Sequence, residues 1–484
     1  MAARLFAQAP AAESEDTHMT LLMPDSMATT RFRAYGPRQI DQIADRFGLA
    51  PEDAETVRLI SRVLPFRVNE YVLSELVDWD RAPDDPMFRM LFPQRGMLHE
   101  EDERLLSAAV AGGDRQMIAA AVKEIRGRLN PHPSGQTQLN VPRLDGAEVP
   151  GLQHKYRETV LHFPGQGQTC HSYCTYCFRW AQFVGDADLR FAAPGPEGLV
   201  RYLGAHPEVH DVLITGGDPL IMSTDRLLRH IEPLLEIPTV RTVRIGTKSV
   251  AYWPQRFLTD PDADDLLRLF ERIVASGRNL AVMAHFTHPR ELGTDRTRRA
   301  LARIRSTGAL IYCQAPLIAH VNDDAPTWSA LWQAELAAGA VPYYMFVERD
   351  TGPQEYFKVP LATAAELFRA AYRTLPGLAR TVRGPVMSAT PGKVVVDGVE
   401  TTPQGRFFQL RMLQARDPAL VGRPFRARYS TSAAWLDDLD LAPDAPADIA
   451  AAVRGTARPV HREPPAAKPP AAAVALSGHG GYMS

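Results

Sequence analysis

Three of the four cysteines in this 484-residue chain fall within eight residues, at Cys170, Cys174 and Cys177 in the segment QTCHSYCTYCFRW. Thiolates are the usual ligands of iron–sulfur clusters, and this spacing lets one loop wrap a cluster. Three thiolates on a four-iron cluster leave one iron open to a further ligand. The competing chemistry is a zinc site that adds a histidine such as His171. A structural zinc site normally pairs two short Cys/His knuckles, and the sequence offers no second one. The fourth cysteine, Cys313, lies in the apolar run ALIYCQAPLI and reads as core.

A loop of this kind needs a scaffold, and the flanking text supplies one. Apolar runs at RETVLHF (157–163), DVLITGG (211–217), VRTVRIGT (240–247), NLAVMAHF (279–286), ALIYCQAPLI (309–318) and VPYYMFVE (341–348) alternate with segments of helical periodicity. Strand followed by helix, six or seven times, predicts a parallel sheet with right-handed crossovers. The fold class is therefore α/β, with a (β/α) barrel or part-barrel over 151–400 whose site lies at the C-terminal strand ends. The cysteines follow the first of these strands. Residues 1–25 are expected to be disordered, 26–150 to form a helical region, 401–440 an extension, and the Ala/Pro-rich 441–484 a disordered tail.

Bulk composition narrows the partners. Hydrophobic residues make up 45% and charged residues 23%, with a net charge of −2. No strong field favours nucleic acid or an anionic membrane, and no apolar run is long enough to span a bilayer. The N-terminus lacks the apolar stretch of a secretory signal, so the expected compartment is the cytoplasm and the expected partner a small molecule.

The next strand ends in Ile214-Thr215-Gly216-Gly217-Asp218-Pro219, where glycines permit close backbone approach. Together with C-x-x-x-C-x-x-C this resembles the radical S-adenosylmethionine superfamily, whose fold is a partial (β/α) barrel. The resemblance implies a [4Fe-4S] cluster on the three cysteines and S-adenosylmethionine at the open iron. It places Gly216, Gly217 and Asp218 near the methionine amino group, and implies a one-electron donor such as flavodoxin or ferredoxin.

Further stretches narrow the resemblance. They are RIGTKSVAYWPQR (244–256), AHFTHPREL (284–292), QAPLIAHVND (314–323), PYYMF (342–346) and Pro-Gly-Lys at 391–393, all in order. This pattern, from about His154 to Lys393, resembles the lysine 2,3-aminomutase family. That implies a second cofactor, pyridoxal 5′-phosphate, held covalently by Lys393, and an amino-acid substrate whose amino group moves from the α- to the β-carbon. By the same resemblance Arg179 grips the substrate carboxylate, His285 and Gln314 lie near S-adenosylmethionine, and Lys155 and Tyr156 anchor pyridoxal phosphate. The helical N-terminal region is then a candidate for homo-oligomer contacts.

The sequence departs from the family in three places. The glycine run before the lysine is short, at Ser388-Ala389-Thr390-Pro391-Gly392-Lys393. Of two aspartates that hold the far ammonium of lysine, Asp323 matches one and Ser388 stands at the other. Thr159 stands at a basic position of the phosphate anchor, with Arg157 displaced by two residues. A radical enzyme of the same family that abstracts hydrogen from another substrate without pyridoxal phosphate is therefore the alternative.

Overall fold

The computed structural model describes residues 31–131, 138–186 and 189–455. The N-terminal disorder expected over 1–25 lies outside them, as does most of the tail.

Residues 37–129 are built mainly of helices: Ile40–Phe47, Pro51–Ile60, Glu70–Glu75, Pro86–Leu91, Glu100–Gly112 and Arg115–Leu129. Local chemistry sets their limits. Gly48, at φ 73°, ends the first helix in a left-handed cap with its N–H on the Ala44 carbonyl. Pro51 opens the second, with Glu52 and Asp53 in the first turn. Their inward faces, Ile40, Ile43, Ala54, Val57 and Ile60, are fully buried.

The large sheet has eleven strands in chain order. They are β1 (Leu152–Tyr156), β2 (Thr159–His162), β3 (Asp211–Ile214), β4 (Thr242–Thr247), β5 (Asn279–Ala284), β6 (Leu310–Leu317), β7 (Val341–Val347), β8 (Arg383–Ser388), β9 (Gly392–Thr402), β10 (Gly405–Ala415) and β11 (Pro424–Arg428). Strands β2 to β8 run parallel, each joined to the next by a crossover with helix. The helices pack by amphipathic faces: in Ala263–Ala275, Leu266, Phe270 and Ile273 are buried at i, i+4 and i+7. The strands are less uniformly buried than their apolar runs suggest. In β4, Val243, Ile245 and Thr247 are buried while Thr242, Arg244 and Gly246 are only partly so. One face packs on helices and the other keeps room for polar side chains.

Four features differ from the sequence expectation. The end of the 26–150 region, expected to be helical, contains a hairpin, Arg143–Leu144 with Ala147–Glu148, turned by Asp145 (φ 53°) and Gly146 (φ 81°). Strand β1 pairs antiparallel with β2 and precedes the parallel set. Residues 392–428, expected partly as an extension, are three antiparallel strands that continue the sheet beyond β8. The tail expected from 441 starts later, because the helix Ala447–Arg454 buries Ile449, Ala450 and Val453. The sheet is open: among the described residues the edge strands β1 and β11 pair with no second neighbour, so no closed barrel forms.

Candidate active site

The cysteine loop leaves β2 and is clamped from two sides. From the helical region, Asn69 Nδ2 donates to the carbonyls of His171 (3.3 Å) and Tyr252 (2.8 Å) and to Ser172 Oγ (3.0 Å). The Tyr173 N–H donates to the Arg67 carbonyl (2.8 Å) and the Thr175 N–H to Met90 (2.9 Å). From the sheet, the Gly216-Gly217-Asp218 turn lies directly under the start of the loop. A Cβ at Gly217 would stand 2.4 Å from the Thr169 carbonyl oxygen, and one at Gly216 2.3 Å from Gln168 Nε2. The Asp218 N–H donates to the Thr169 carbonyl at 2.7 Å. Both glycines thus have a structural reason that the strand-end argument did not contain: Gly217 admits the Thr169 backbone and Gly216 the Gln168 side chain.

Asp218 is likewise engaged within the protein. Its buried carboxylate accepts from Thr247 Oγ1 (2.8 and 2.9 Å) and from the N–H groups of Lys248 (2.8 Å) and Leu220 (3.0 Å). This ties the ends of β3 and β4 together beneath the loop.

Cys170, Cys174 and Cys177 are free thiols and partly buried. Burial raises all three, Cys177 to about 12, and each of Cys170 and Cys177 is raised further by a neighbouring cysteine. The donor set fits an iron–sulfur cluster, because the thiols share one electrostatic neighbourhood that a cationic cluster would relieve. His171, the candidate fourth zinc ligand, is committed elsewhere: Nδ1 bonds Ser249 Oγ at 3.0 Å, and the ring packs against Phe32 and Trp253. Among the described residues no three His, Cys, Asp or Glu side chains are gathered for a single metal ion.

Beside Cys174 stands Tyr252, with the thiol 3.7 Å from its hydroxyl. Lys248 lies over the Tyr252 ring and pairs at 2.6 Å with Glu291, which is fully buried. Lys248 also donates to the His285 carbonyl and Thr287 Oγ1, both at 3.2 Å. His285 is held neutral by burial and by Lys248, with Nε2 3.3 Å from Thr287 Oγ1. Arg179 is buried over the Phe163 ring and donates to Gln168 Oε1 at 3.3 Å. Gln314 is half-buried on β6, in register with Tyr344 on β7.

Lys393 lies on a strand, β9. Nζ donates to Gln414 Oε1 at 2.8 Å and faces the rings of Tyr344 (4.7 Å), Tyr156 (5.6 Å) and Phe346 (6.0 Å). Burial, then Arg244 and Arg383, lower its pKa to about 7, against a smaller upward pull from Asp211. The Pro-Gly before it is also explained: a Cβ at Gly392 would stand 2.0 Å from the Gln414 carbonyl oxygen. Lys155 lies 5.4 Å from the centroid of the Tyr156 ring and donates to the Ala389 carbonyl. Lys155, Tyr156 and Lys393 are thus one cluster. It fits pyridoxal phosphate in its donor chemistry: a buried, readily neutral amine among aromatic rings, with cations nearby.

Asp323 stays apart. It is exposed, and its carboxylate caps its own turn by accepting from the His320 N–H at 3.1 Å. Sequence reasoning missed Asn69, Gln414, Arg349 and Arg416. Asn69 lies 102 residues from His171 and Arg416 276 from Asn140, and no local pattern signals such contacts.

The structure is an α/β sheet that carries a triple-cysteine loop after β2 and a partly buried lysine of lowered pKa on β9. The scan against family models finds no match. The curated relatives do. The chain is 34% identical over 388 residues to a protein of Aquifex aeolicus (strain VF5) named "Putative L-lysine 2,3-aminomutase", covering 80% of this chain and 91% of that one. It is 27% identical to the L-lysine 2,3-aminomutase of Acetoanaerobium sticklandii, over 68% of each chain. It is 30% identical to that of Escherichia coli (strain K12), over 49% of this chain and 67% of the other. The chain belongs to the lysine 2,3-aminomutase family, isomerases of the radical S-adenosylmethionine type. No helix among the described residues is long and apolar enough to cross a membrane.

Proposed function

We propose that this protein is an amino-acid 2,3-aminomutase that moves an amino group between the α- and β-carbons of its substrate. It uses a [4Fe-4S] cluster on Cys170, Cys174 and Cys177, S-adenosylmethionine, and pyridoxal phosphate on Lys393. When bound, the cluster and S-adenosylmethionine supply a hydrogen-abstracting radical, and pyridoxal phosphate delocalises an unpaired electron during nitrogen migration. A one-electron donor of the flavodoxin or ferredoxin type completes the system. In this reading the open sheet serves as a part-barrel around the cofactors.

The observation that carries the reading is Lys393: a partly buried amine whose pKa desolvation lowers to about 7, held by Gln414 and facing Tyr156 and Tyr344. Arg179, buried two residues beyond Cys177, is the group to fix a substrate carboxylate through its paired donors. His285 and Gln314 line the side toward S-adenosylmethionine. Asp323, exposed and engaged with its own turn, does not offer a desolvated partner to a distal ammonium. The substrate is therefore an α-amino acid whose side chain needs no buried counter-ion, and not L-lysine.

The test is anaerobic reconstitution with iron, sulfide and pyridoxal phosphate, followed by reductant, S-adenosylmethionine and a panel of α-amino acids. A β-amino isomer formed with wild type and absent with Lys393→Ala supports the proposal. Release of 5′-deoxyadenosine with no uptake of pyridoxal phosphate would replace it by radical hydrogen abstraction on another substrate.

A further inference from the structure

We propose that Lys155, Arg349 and Arg416 form the anion site that receives the phosphate group of pyridoxal phosphate, and that Arg349 and Arg416 take over the duty left open by Thr159. The inference rests on Lys393 carrying that cofactor. Thr159 opens β2 and is buried; Arg157, the nearby basic residue, is exposed in the β1–β2 turn. Neither stands ready as a second cation beside Lys155. The missing charge arrives from two distant parts of the chain.

Arg416 follows β10. Its Nε donates to the Thr390 carbonyl at 2.8 Å, its backbone N–H to the Pro391 carbonyl at 3.0 Å, and a terminal nitrogen to Asn140 Oδ1. Lys155 holds the adjacent carbonyl, that of Ala389. The two cations therefore grip neighbouring peptide units of one turn, Ala389-Thr390, three residues before Lys393. Arg349 follows β7, with its guanidinium 5.0 Å from the centroid of the Phe178 ring, next to Cys177. Arg349 and Arg416 both act electrostatically on Lys155 and on Tyr156.

The charge balance of this cluster is unusual. Glu348 and Asp350 flank Arg349. The charged groups acting on Lys155 are all cations: Arg349, Arg416 and Lys393. The Tyr156 hydroxyl acts on Arg416 by charge. Lys155, Arg416 and Lys393, crowded in a partly desolvated place, repel one another, and a bound dianion lowers that cost. A phosphate monoester carries about −1.5 to −2 charges at pH 7 and accepts paired bonds from guanidinium groups. Because Lys393 and Lys155 lie 5.6 and 5.4 Å from the centroid of the Tyr156 ring, a ligand held covalently at one can present its anion at the other.

The experiment titrates the full-length protein with pyridoxal phosphate and with unphosphorylated pyridoxal, reading the bound chromophore by absorbance. Inorganic phosphate serves as competitor. Wild type should prefer the phosphate ester at least tenfold. Arg416→Gln and Arg349→Gln should each weaken pyridoxal phosphate about tenfold or more, leave pyridoxal within about twofold, and reduce competition by inorganic phosphate. Arg416→Lys should recover part of the loss. Unchanged affinity in both Gln variants, or equal loss of both ligands in all three variants, overturns the site. Lys393→Ala separates the two claims. A phosphate preference that persists while the chromophore is independent of Lys393 keeps the anion site and removes the aminomutase reading. No uptake by wild type removes both.

Discussion

Lys393 Nζ donates a 2.8 Å hydrogen bond to Oε1 of Gln414, the residue opposite it across the antiparallel pair β9–β10. The bond holds the amine at a fixed height above the Tyr344 ring while leaving it two further donors. A lysine on a strand, tied to its neighbour, is better positioned for a covalent cofactor than one on a free turn.

The pH dependence of cofactor capture follows from this environment. Burial, with Arg244 and Arg383, lowers Lys393 from its ordinary 10.5 to about 7. The reactive neutral amine grows in as pH rises, so covalent capture of pyridoxal phosphate should be half-maximal near pH 7. Asp211→Asn removes the one acid that holds the value up and should move the midpoint lower, whereas Arg383→Gln should move it higher. The folded chain binds fewer protons at this site than the unfolded chain between about 7 and 10.5, so this group makes stability rise with pH across that window. An absorbance titration of capture rate against pH checks the midpoints; a midpoint near 10 would contradict the buried geometry.

The cysteines should separate cleanly by role. Cys174→Ala should remove the visible absorbance and most of the iron after anaerobic reconstitution. Cys313→Ala, at a fully buried position on β6, should keep both and cost about 1 kcal/mol of stability for the lost packing. Iron analysis and denaturant unfolding measure the two effects.

Gly217→Ala tests the contact between the strand end and the cysteine loop. The new methyl group would meet the Thr169 backbone at 2.4–2.6 Å, so the loop must move. A cost of about 1–3 kcal/mol is expected, together with weaker S-adenosylmethionine binding. Thermal unfolding and a ligand titration of the reconstituted protein read these separately. A variant as stable as wild type with an intact cluster would show that the loop does not depend on this approach.

Glu291→Gln probes the buried ion pair beside the cysteines. Glu291 has no exposure, pairs with Lys248 at 2.6 Å and also accepts from the Thr287 and His288 N–H groups. The amide retains an acceptor for the backbone but leaves Lys248 uncompensated. Breaking such a pair from one side costs about 3–5 kcal/mol. Chemical unfolding gives the number, and Lys248→Met combined with Glu291→Gln should recover part of it.

Asp323→Ala addresses the substrate. The residue is exposed and makes one hydrogen bond to the His320 N–H. The substitution should change stability by about 1 kcal/mol or less and leave the KM of the preferred amino acid unchanged. A large rise in KM would return a role to this carboxylate.

What the sequence determined by itself was local and periodic. The cysteine spacing, the glycine-aspartate turn and the strand–helix alternation are each written within a few consecutive residues, and the apolar period of a strand or helix needs no partner to be read. Those features located the cysteine loop after β2, and the resemblance to the family brought Lys155, Tyr156 and Lys393 forward. The tertiary structure decided how they are held. Gly217 receives the Thr169 backbone and Gly216 the Gln168 side chain, Asp218 is consumed by Thr247 and Lys248, Asn69 clamps the loop from the helical region, and Lys393 sits on β9 opposite Gln414. The same holds for Asp323, which matches a motif yet faces solvent, and for Arg349 and Arg416, which match none yet surround Tyr156. The physical reason is common to all of them. Charge, burial and hydrogen-bond partners are set by residues tens to hundreds of positions away, and those distances close only when the sheet assembles.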